Sequence, residues 1–217
     1  MASSIPRRSA IFFDRDGVLN EELGYIRNPD ELHIYPEAAK AVRRVNRSGR
    51  LAILITNQAG VARGLLNEAM LKRIHAQLEA ELRKGGARLD AIYYCPHHPE
   101  HGEPPYRQVC ECRKPRPGML RRAVRERHLN LAACWLISDR QMETAMMQTE
   151  GGKAALVLTG YGRRELASQA DWSRRPDLIA TGVLEAVESI LKPPHSPRPA
   201  RRGDNAGALI SATTETA

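Results

Sequence analysis

Asp14 and Asp16 stand two residues apart at the end of a short apolar run, Ala10-Ile-Phe-Phe13, and Gly17 follows at once. On an extended chain such residues point to the same side, so two carboxylates share one space. Gly17 then permits a sharp turn. A second apolar run, Leu51-Ala-Ile-Leu-Ile55, stops at Thr56-Asn57-Gln58, and a third, Cys134-Trp-Leu-Ile137, stops at Ser138-Asp139 with Arg140 next and Glu143 four residues on. Lys114 lies in Cys110-Glu-Cys-Arg-Lys-Pro115. This set suits hydrolysis of a phosphate ester. That reaction is very slow uncatalysed, so a site must neutralise charge and position an in-line nucleophile. One carboxylate can attack phosphorus and form an aspartyl-phosphate, while a second protonates the departing alkoxide and later activates water. A hard divalent cation with oxygen ligands offsets the repulsion between carboxylate and phosphate, and Mg²⁺ fits. Lys114 supplies a fixed positive charge to the phosphoryl oxygens. Each feature alone has a plainer reading: a turn or calcium-like loop at Asp14, a helix-capping loop at Thr56, a solvated charge at Lys114. Their joint occurrence, in order and at strand ends or just before a helix, favours catalysis.

A second constellation is Cys95-Pro-His97-His98-Pro99 followed by Cys110-Glu-Cys112. Two ligand pairs separated by a loop suit a tetrahedral Zn²⁺ with three thiolates and one imidazole. Cys95, His97, Cys110 and Cys112 are the chosen set, with His98 and His101 as competing nitrogen ligands. A disulfide or redox pair is the alternative. With four protein ligands no water position remains, so the zinc is structural and fixes Arg113 and Lys114 over the site. Cys134, on an expected buried strand, reads as an inert core residue.

Positioning these groups requires strands that end where they stand. Besides the three apolar runs, Leu89 to Tyr94 and Ala154 to Leu158 read as strands. Helical spacing marks Pro36 to Ser48, a long segment after Asn67 closed by Gly85-Gly86, Gly118 to His128, Gln141 to Thr149, and a closing helix carrying Val183, Leu184, Val187, Ile190 and Leu191. Strands alternating with helices predict an α/β fold: a doubly wound, mainly parallel sheet with helices on both faces. Such sheets bind ligands at the carboxyl ends of their strands. No insertion is long enough for a large lid, so the site is expected to be nearly capless, with a zinc-binding loop over about 95–112. Residues 1–9 read as an N-terminal extension, 10–191 as the phosphatase domain, and the Pro-rich stretch 192–217 as a disordered tail.

The 217 residues are 42% hydrophobic and 27% charged, as in a soluble globular protein, with a formal net charge of +8. That charge fits anionic substrates or nucleic acid. The basic residues are scattered as pairs among acids, and only two Phe are present, which argues against nucleic acid. No stretch approaches a membrane span, and Met1 to Ser9 has no apolar signal core. The expectation is a cytoplasmic monomer acting on a small molecule.

Phe13-Asp14-Arg15-Asp16-Gly17-Val18-Leu19-Asn20 resembles the first motif of the haloacid-dehalogenase (HAD) superfamily, whose leading Asp is the nucleophile and whose second Asp is the acid/base. Thr56 matches the second motif, Lys114 the third and Asp139 the metal-binding fourth. The resemblance implies Mg²⁺ held by the Asp14 carboxylate, the Asp16 backbone carbonyl and Asp139. One departure is visible: the fourth motif reads Ser138-Asp-Arg-Gln-Met-Glu143, where close relatives usually show Gly first and Asp last. Asn20 to Tyr25, Thr56 to Gly64, Tyr93 to Pro99 and Arg107 to Met119 narrow the likeness to the heptose-bisphosphate phosphatases and, more distantly, the histidinol-phosphatases. It implies removal of the C7 phosphate from D-glycero-D-manno-heptose 1,7-bisphosphate, giving heptose 1-phosphate for the nucleotide-activated heptose of the lipopolysaccharide core. Arg113 and Arg140 are candidates for the distal phosphate, with a surface salt bridge as the alternative for each. Asn20, Tyr25, Asn57 and Gln58 are candidates for hydroxyls or phosphate, ahead of Arg63. Histidinol phosphate or another small phosphomonoester is the rival substrate, and a zinc-supported binding module the non-enzymatic rival.

Overall fold

Strands covered on both faces must be apolar throughout, and the computed structural model, which describes residues 8–172 and 174–192, puts the apolar runs at the centre of one sheet. The strands are β1 (Ala10–Phe13), β2 (Leu51–Asn57), β3 (Ala91–Cys95), β4 (Trp135–Ser138), β5 (Lys153–Val157) and β6 (Leu178–Ala180). Their order is β3-β2-β1-β4-β5-β6, and every neighbouring pair is parallel. The helices are α1 (Ala38–Arg47), α2 (Glu68–Lys84), α3 (Gly118–Arg127), α4 (Gln141–Thr149), α5 (Gly162–Ala167) and α6 (Val183–Leu191).

Alternation along β1 divides the core into two layers. Ile11 and Phe13 pack with Ala41, Val42 and Val45 of α1, Leu78 and Leu82 of α2, and Val187 and Ile190 of α6. Ala10 and Phe12 face the other way, against Met119, Leu120 and Ala123 of α3 and Met146 and Met147 of α4. Helices therefore cover both faces, as expected. Asn67 caps α2 by accepting the Met70 N–H at 2.8 Å.

Two elements were not expected. β6 is a three-residue edge strand with Ile179 exposed, too short to give a period-two signal. In α5 the sole buried residue is Gly162, so no apolar stripe announces it. Boundaries also shift: β3 starts at Ala91 and runs on to Cys95, and β4 starts at Trp135. No separate lid domain occurs among the described residues; 14–37 carries only a 3-10 turn, Pro29–Glu31, and 96–117 no helix or strand element. No helix among them is long and apolar enough to cross a membrane. Most of the proposed N-terminal extension (1–7) and of the proposed tail (193–217) lies outside the described residues.

The strand order reverses between β1 and β4. In doubly wound sheets that reversal opens a crevice at the carboxyl ends. Asp14 follows β1 and Asp139 follows β4, so the topology delivers both to the crevice. The Asp14 N–H donates to the Ile137 carbonyl at 3.0 Å, which extends the ladder by one step and holds the nucleophile candidate beside its neighbour strand.

Candidate active site

Lys114 is the hub. Its buried ammonium lies 2.8 Å from Asp14 Oδ2 and 2.8 Å from Glu143 Oε2, and donates to the Ile55 carbonyl at 3.0 Å. All three ammonium protons are thereby engaged. Burial opposes the charge on Lys114, but Asp14 and Glu143 outweigh it and its pKa rises. The Lys114 backbone is equally fixed, through Asn57: Lys114 N–H donates to Asn57 Oδ1 at 3.0 Å, and Asn57 Nδ2 donates to the Lys114 carbonyl at 3.0 Å. Asn57 lines the cleft, yet this reciprocal pair engages both ends of its amide.

Asp16 is held by a separate set of donors. Arg15 Nη2 reaches both carboxylate oxygens at 3.0 Å, Asn20 Nδ2 reaches Oδ1 at 2.9 Å, and Gln58 Nε2 reaches Oδ2 at 3.0 Å. Gln58 also donates to Thr56 Oγ1 at 2.9 Å, tying the ends of β1 and β2 together. Asn20 is fully buried and its second amide proton goes to the Glu21 carbonyl. The structure therefore puts Asn20 behind Asp16, where it orients the acid. Behind Arg15 lies His75, whose pKa burial first and Arg15 second push down to about 3, so the ring is neutral.

Asp139 sits against two glycines in the left-handed region, Gly17 (φ +76°) and Gly160 (φ +53°), and a Cβ on either would run into its carboxylate. Only Gly fits both demands. The Tyr161 N–H donates to Asp139 Oδ2 at 2.8 Å. Burial first and Asp14 second raise Asp139 to about 7. Asp14 also rises to about 7, through burial and then Glu143, with Lys114 pulling the other way. Asp14, Glu143 and Asp139 thus gather three carboxylates against one buried ammonium. With all three ionised, two negative charges are left unbalanced by Lys114, and a hard divalent cation with oxygen ligands matches that surplus.

These groups line a cleft of about 390 Å³ together with Asp16, Glu22, Thr56, Asn57, Arg113, Pro115, Arg140 and Met142. Arg113 Nη1 donates to the His97 carbonyl at 3.2 Å. Arg140 stacks on the Tyr161 ring, 3.6 Å from its centroid, with Glu165 3.6 Å away. Asn20, Tyr25 and Gln58 are not among the lining residues; Tyr25 is exposed, with the Arg63 guanidinium 5.6 Å from its ring centre. Three groups at the site were missed from sequence: Arg15, Glu22 and Ser138. A fully buried Arg needs a carboxylate partner, but Arg15 lies in a bend past the end of β1 and no local pattern announces its burial. Glu22 sits in a loop without periodicity, and its pKa is raised chiefly by burial.

Cys95, His97, Cys110 and Cys112 offer ligand atoms that all lie within 4.8 Å of one another. The sulfur–sulfur distances are 3.1, 3.2 and 3.5 Å, and His97 Nδ1 is 3.3 Å from Cys112 Sγ. Disulfide sulfurs would be about 2.05 Å apart, and all four cysteines are free. A tetrahedron with zinc–sulfur bonds of about 2.3 Å has edges of roughly 3.7 Å, so the cluster needs little expansion to hold zinc. His98 Nδ1 instead accepts the Glu100 and His101 N–H groups at 3.1 Å each, and neither His98 nor His101 belongs to the cluster. Cys134 is buried, taking the Ala10 N–H at 3.3 Å.

A family model described as HAD-hydrolase-like matches residues 111–186. Over 175 residues the chain is 38% identical to the D-glycero-beta-D-manno-heptose-1,7-bisphosphate 7-phosphatase of Escherichia coli K12, covering 79% of this chain and 90% of that one. The chain belongs to this HAD phosphatase family. The Haemophilus ducreyi member of the family is 34% identical over 182 residues, covering 83% of this chain and 97% of its own. Among solved structures, the D,D-heptose 1,7-bisphosphate phosphatase from B. bronchiseptica, complexed with magnesium and phosphate, superposes with a TM-score of 0.75 at 33% identity. It covers 85% of this chain and 98% of its own. The matches span most of this chain and nearly all of each relative.

Proposed function

We propose that this HAD phosphatase removes the C7 phosphate of D-glycero-D-manno-heptose 1,7-bisphosphate through an aspartyl-phosphate on Asp14, leaving heptose 1-phosphate for nucleotide activation in lipopolysaccharide core synthesis. The observation that carries this reading is the convergence of Asp14, Lys114 and Asp139 in one cleft of a chain 38% identical to a 7-phosphatase. The Asp14 carboxylate attacks phosphorus while the bond to the C7 oxygen breaks, and Asp16 gives that oxygen its proton. Asp16 then takes a proton from water, which displaces Asp14 and releases inorganic phosphate. Lys114 and Thr56 hold the phosphoryl oxygens. Magnesium, held by Asp14, the Asp16 carbonyl and Asp139, supplies charge neutralisation. Arg113 and Arg140, on the cleft wall, take the distal phosphate. Asn57 and Gln58 act through Lys114, Thr56 and Asp16. Zinc at Cys95, His97, Cys110 and Cys112 is structural. Three reduced thiols at such a cluster suit a reducing compartment, and we propose a cytoplasmic monomer that binds a small sugar bisphosphate and no nucleic acid.

The test is a turnover panel of both anomers of heptose 1,7-bisphosphate and histidinol phosphate across pH and Mg²⁺ concentration. The β anomer should give the highest kcat/KM, with the 1-phosphate as product. Preference for histidinol phosphate would overturn the substrate assignment. Asp14 and Asp139, raised to about 7 without a cation, are protonated below that pH. Cation and protons therefore compete, and added Mg²⁺ should move the acid limb of the rate profile to lower pH. An acid limb indifferent to Mg²⁺ would remove the ion from those carboxylates.

A further inference from the structure

Ser138 is fully buried at the end of β4, immediately before Asp139. Its hydroxyl oxygen accepts the Arg140 N–H at 3.1 Å and its own proton goes to Glu143 Oε2 at 2.9 Å. The direction is forced. A backbone N–H can only donate, so it takes a lone pair of the hydroxyl and leaves the hydroxyl proton for the carboxylate. The same Glu143 oxygen accepts the Lys114 ammonium at 2.8 Å. A continuous line of hydrogen bonds thus runs from the Arg140 backbone through Ser138 and Glu143 to Lys114 and on to Asp14.

Glu143 is a buried acid that lines the same cleft as the Asp14 and Asp139 carboxylates. Left to itself it has two outlets: the Lys114 ammonium, or the cation position beside Asp14 and Asp139. The longer arm of Glu makes either accessible, and the Ser138 proton rewards one of them. We propose that Ser138 is a positioning residue that locks Glu143 onto Lys114, so that the acid orients the ammonium against Asp14 instead of turning toward the cation. The pair is functionally one unit: without Glu143 the Ser138 hydroxyl has nothing catalytic to orient. This inference rests on the phosphatase reading, and Asp14 and Lys114 keep the roles given above.

A double-mutant cycle tests it, on the full chain with zinc bound and Mg²⁺ saturating. Turnover of the bisphosphate by the parent chain is the control for the phosphatase reading itself; a parent that turns nothing over refutes that reading. With an active parent, Ser138→Ala should lower kcat about tenfold with KM nearly unchanged, since binding contacts remain. Glu143→Met, which keeps the length of the side chain but removes its accepting oxygens, should lower kcat about a hundredfold by releasing Lys114. Ser138→Ala added to Glu143→Met should then cost nothing further. Multiplying effects, or a Ser138→Ala chain that keeps the parent kcat, would overturn the proposal. A packing role alone is separated by melting temperature and by the split: it would lower the yield of folded chain without lowering kcat per folded, zinc-loaded molecule.

Discussion

Asp14→Asn is expected to lower kcat by roughly four orders of magnitude or more, because the amide cannot attack phosphorus and no second carboxylate takes its place. Asp16 does not replace it. Arg15, Asn20 and Gln58 hold that carboxylate with donors at 2.9–3.0 Å. Asp139 is fixed between Gly17 and Gly160 and by the Tyr161 N–H. The fold should survive the change. Asn keeps an oxygen to accept the Arg15 N–H, which lies 2.7 Å from Asp14 Oδ1. Lys114 keeps Glu143 and the Ile55 carbonyl. Burial already pushes the Asp14 carboxyl toward its neutral form, so a neutral side chain costs little there. Stability should move by no more than about 1–2 kcal/mol. The melting temperature and kcat, measured on the same preparation, decide the matter. An Asp14→Asn chain with near-wild-type turnover would end the covalent mechanism.

Loss of the zinc cluster is the second large effect. The stretch 96–117 has no helix or strand element, and its core contacts come largely from Cys110 and Cys112, which pack on the layer formed by α3 and α4. Its shape depends on the cluster, and Lys114 stands two residues beyond Cys112. The Arg113 bond to the His97 carbonyl ties the cleft wall to the same cluster. Zinc bound at this cluster would therefore position the ammonium without touching substrate. Elemental analysis of protein purified without added metal should find about one zinc per chain. Cys112→Ser should lose that zinc, cut kcat about a hundredfold and expose the loop to protease. Chelating Mg²⁺ should stop turnover while the zinc stays. A zinc-free chain with full activity would contradict this role.

Asp14, Thr56 and Asp139 could be grouped from the sequence because each ends or follows a buried strand, and burial on both faces makes such strands continuous apolar runs; Lys114 comes instead from the irregular stretch just before α3. Asp14 and Asp139 follow from that pattern together with the strand order. Cys95, His97, Cys110 and Cys112 were legible from ligand type and spacing alone. What escaped has physical reasons. Asn20 was expected to meet substrate, but an amide four residues after an acid can as well turn back onto it, as the bond to Asp16 does. Asn57 is similar: nothing local says that residue 114 will bring its backbone within reach. Glu143, one methylene longer than the Asp usual at that place in close relatives, had no partner legible in the sequence. The structure instead gives that length a partner, Lys114, and a hydroxyl to hold it. β6 and α5 were silent because short elements at a sheet edge bury too little to leave a pattern.

Rapid quenching of the working protein in acid, followed by peptide mass analysis, probes the chemistry most directly. During turnover with Mg²⁺ and bisphosphate, a single phosphoryl group should appear on the peptide that carries Asp14, and it should vanish once substrate is exhausted. A phosphoryl group on another residue, or a turning-over protein that never becomes phosphorylated, would contradict nucleophilic attack by Asp14.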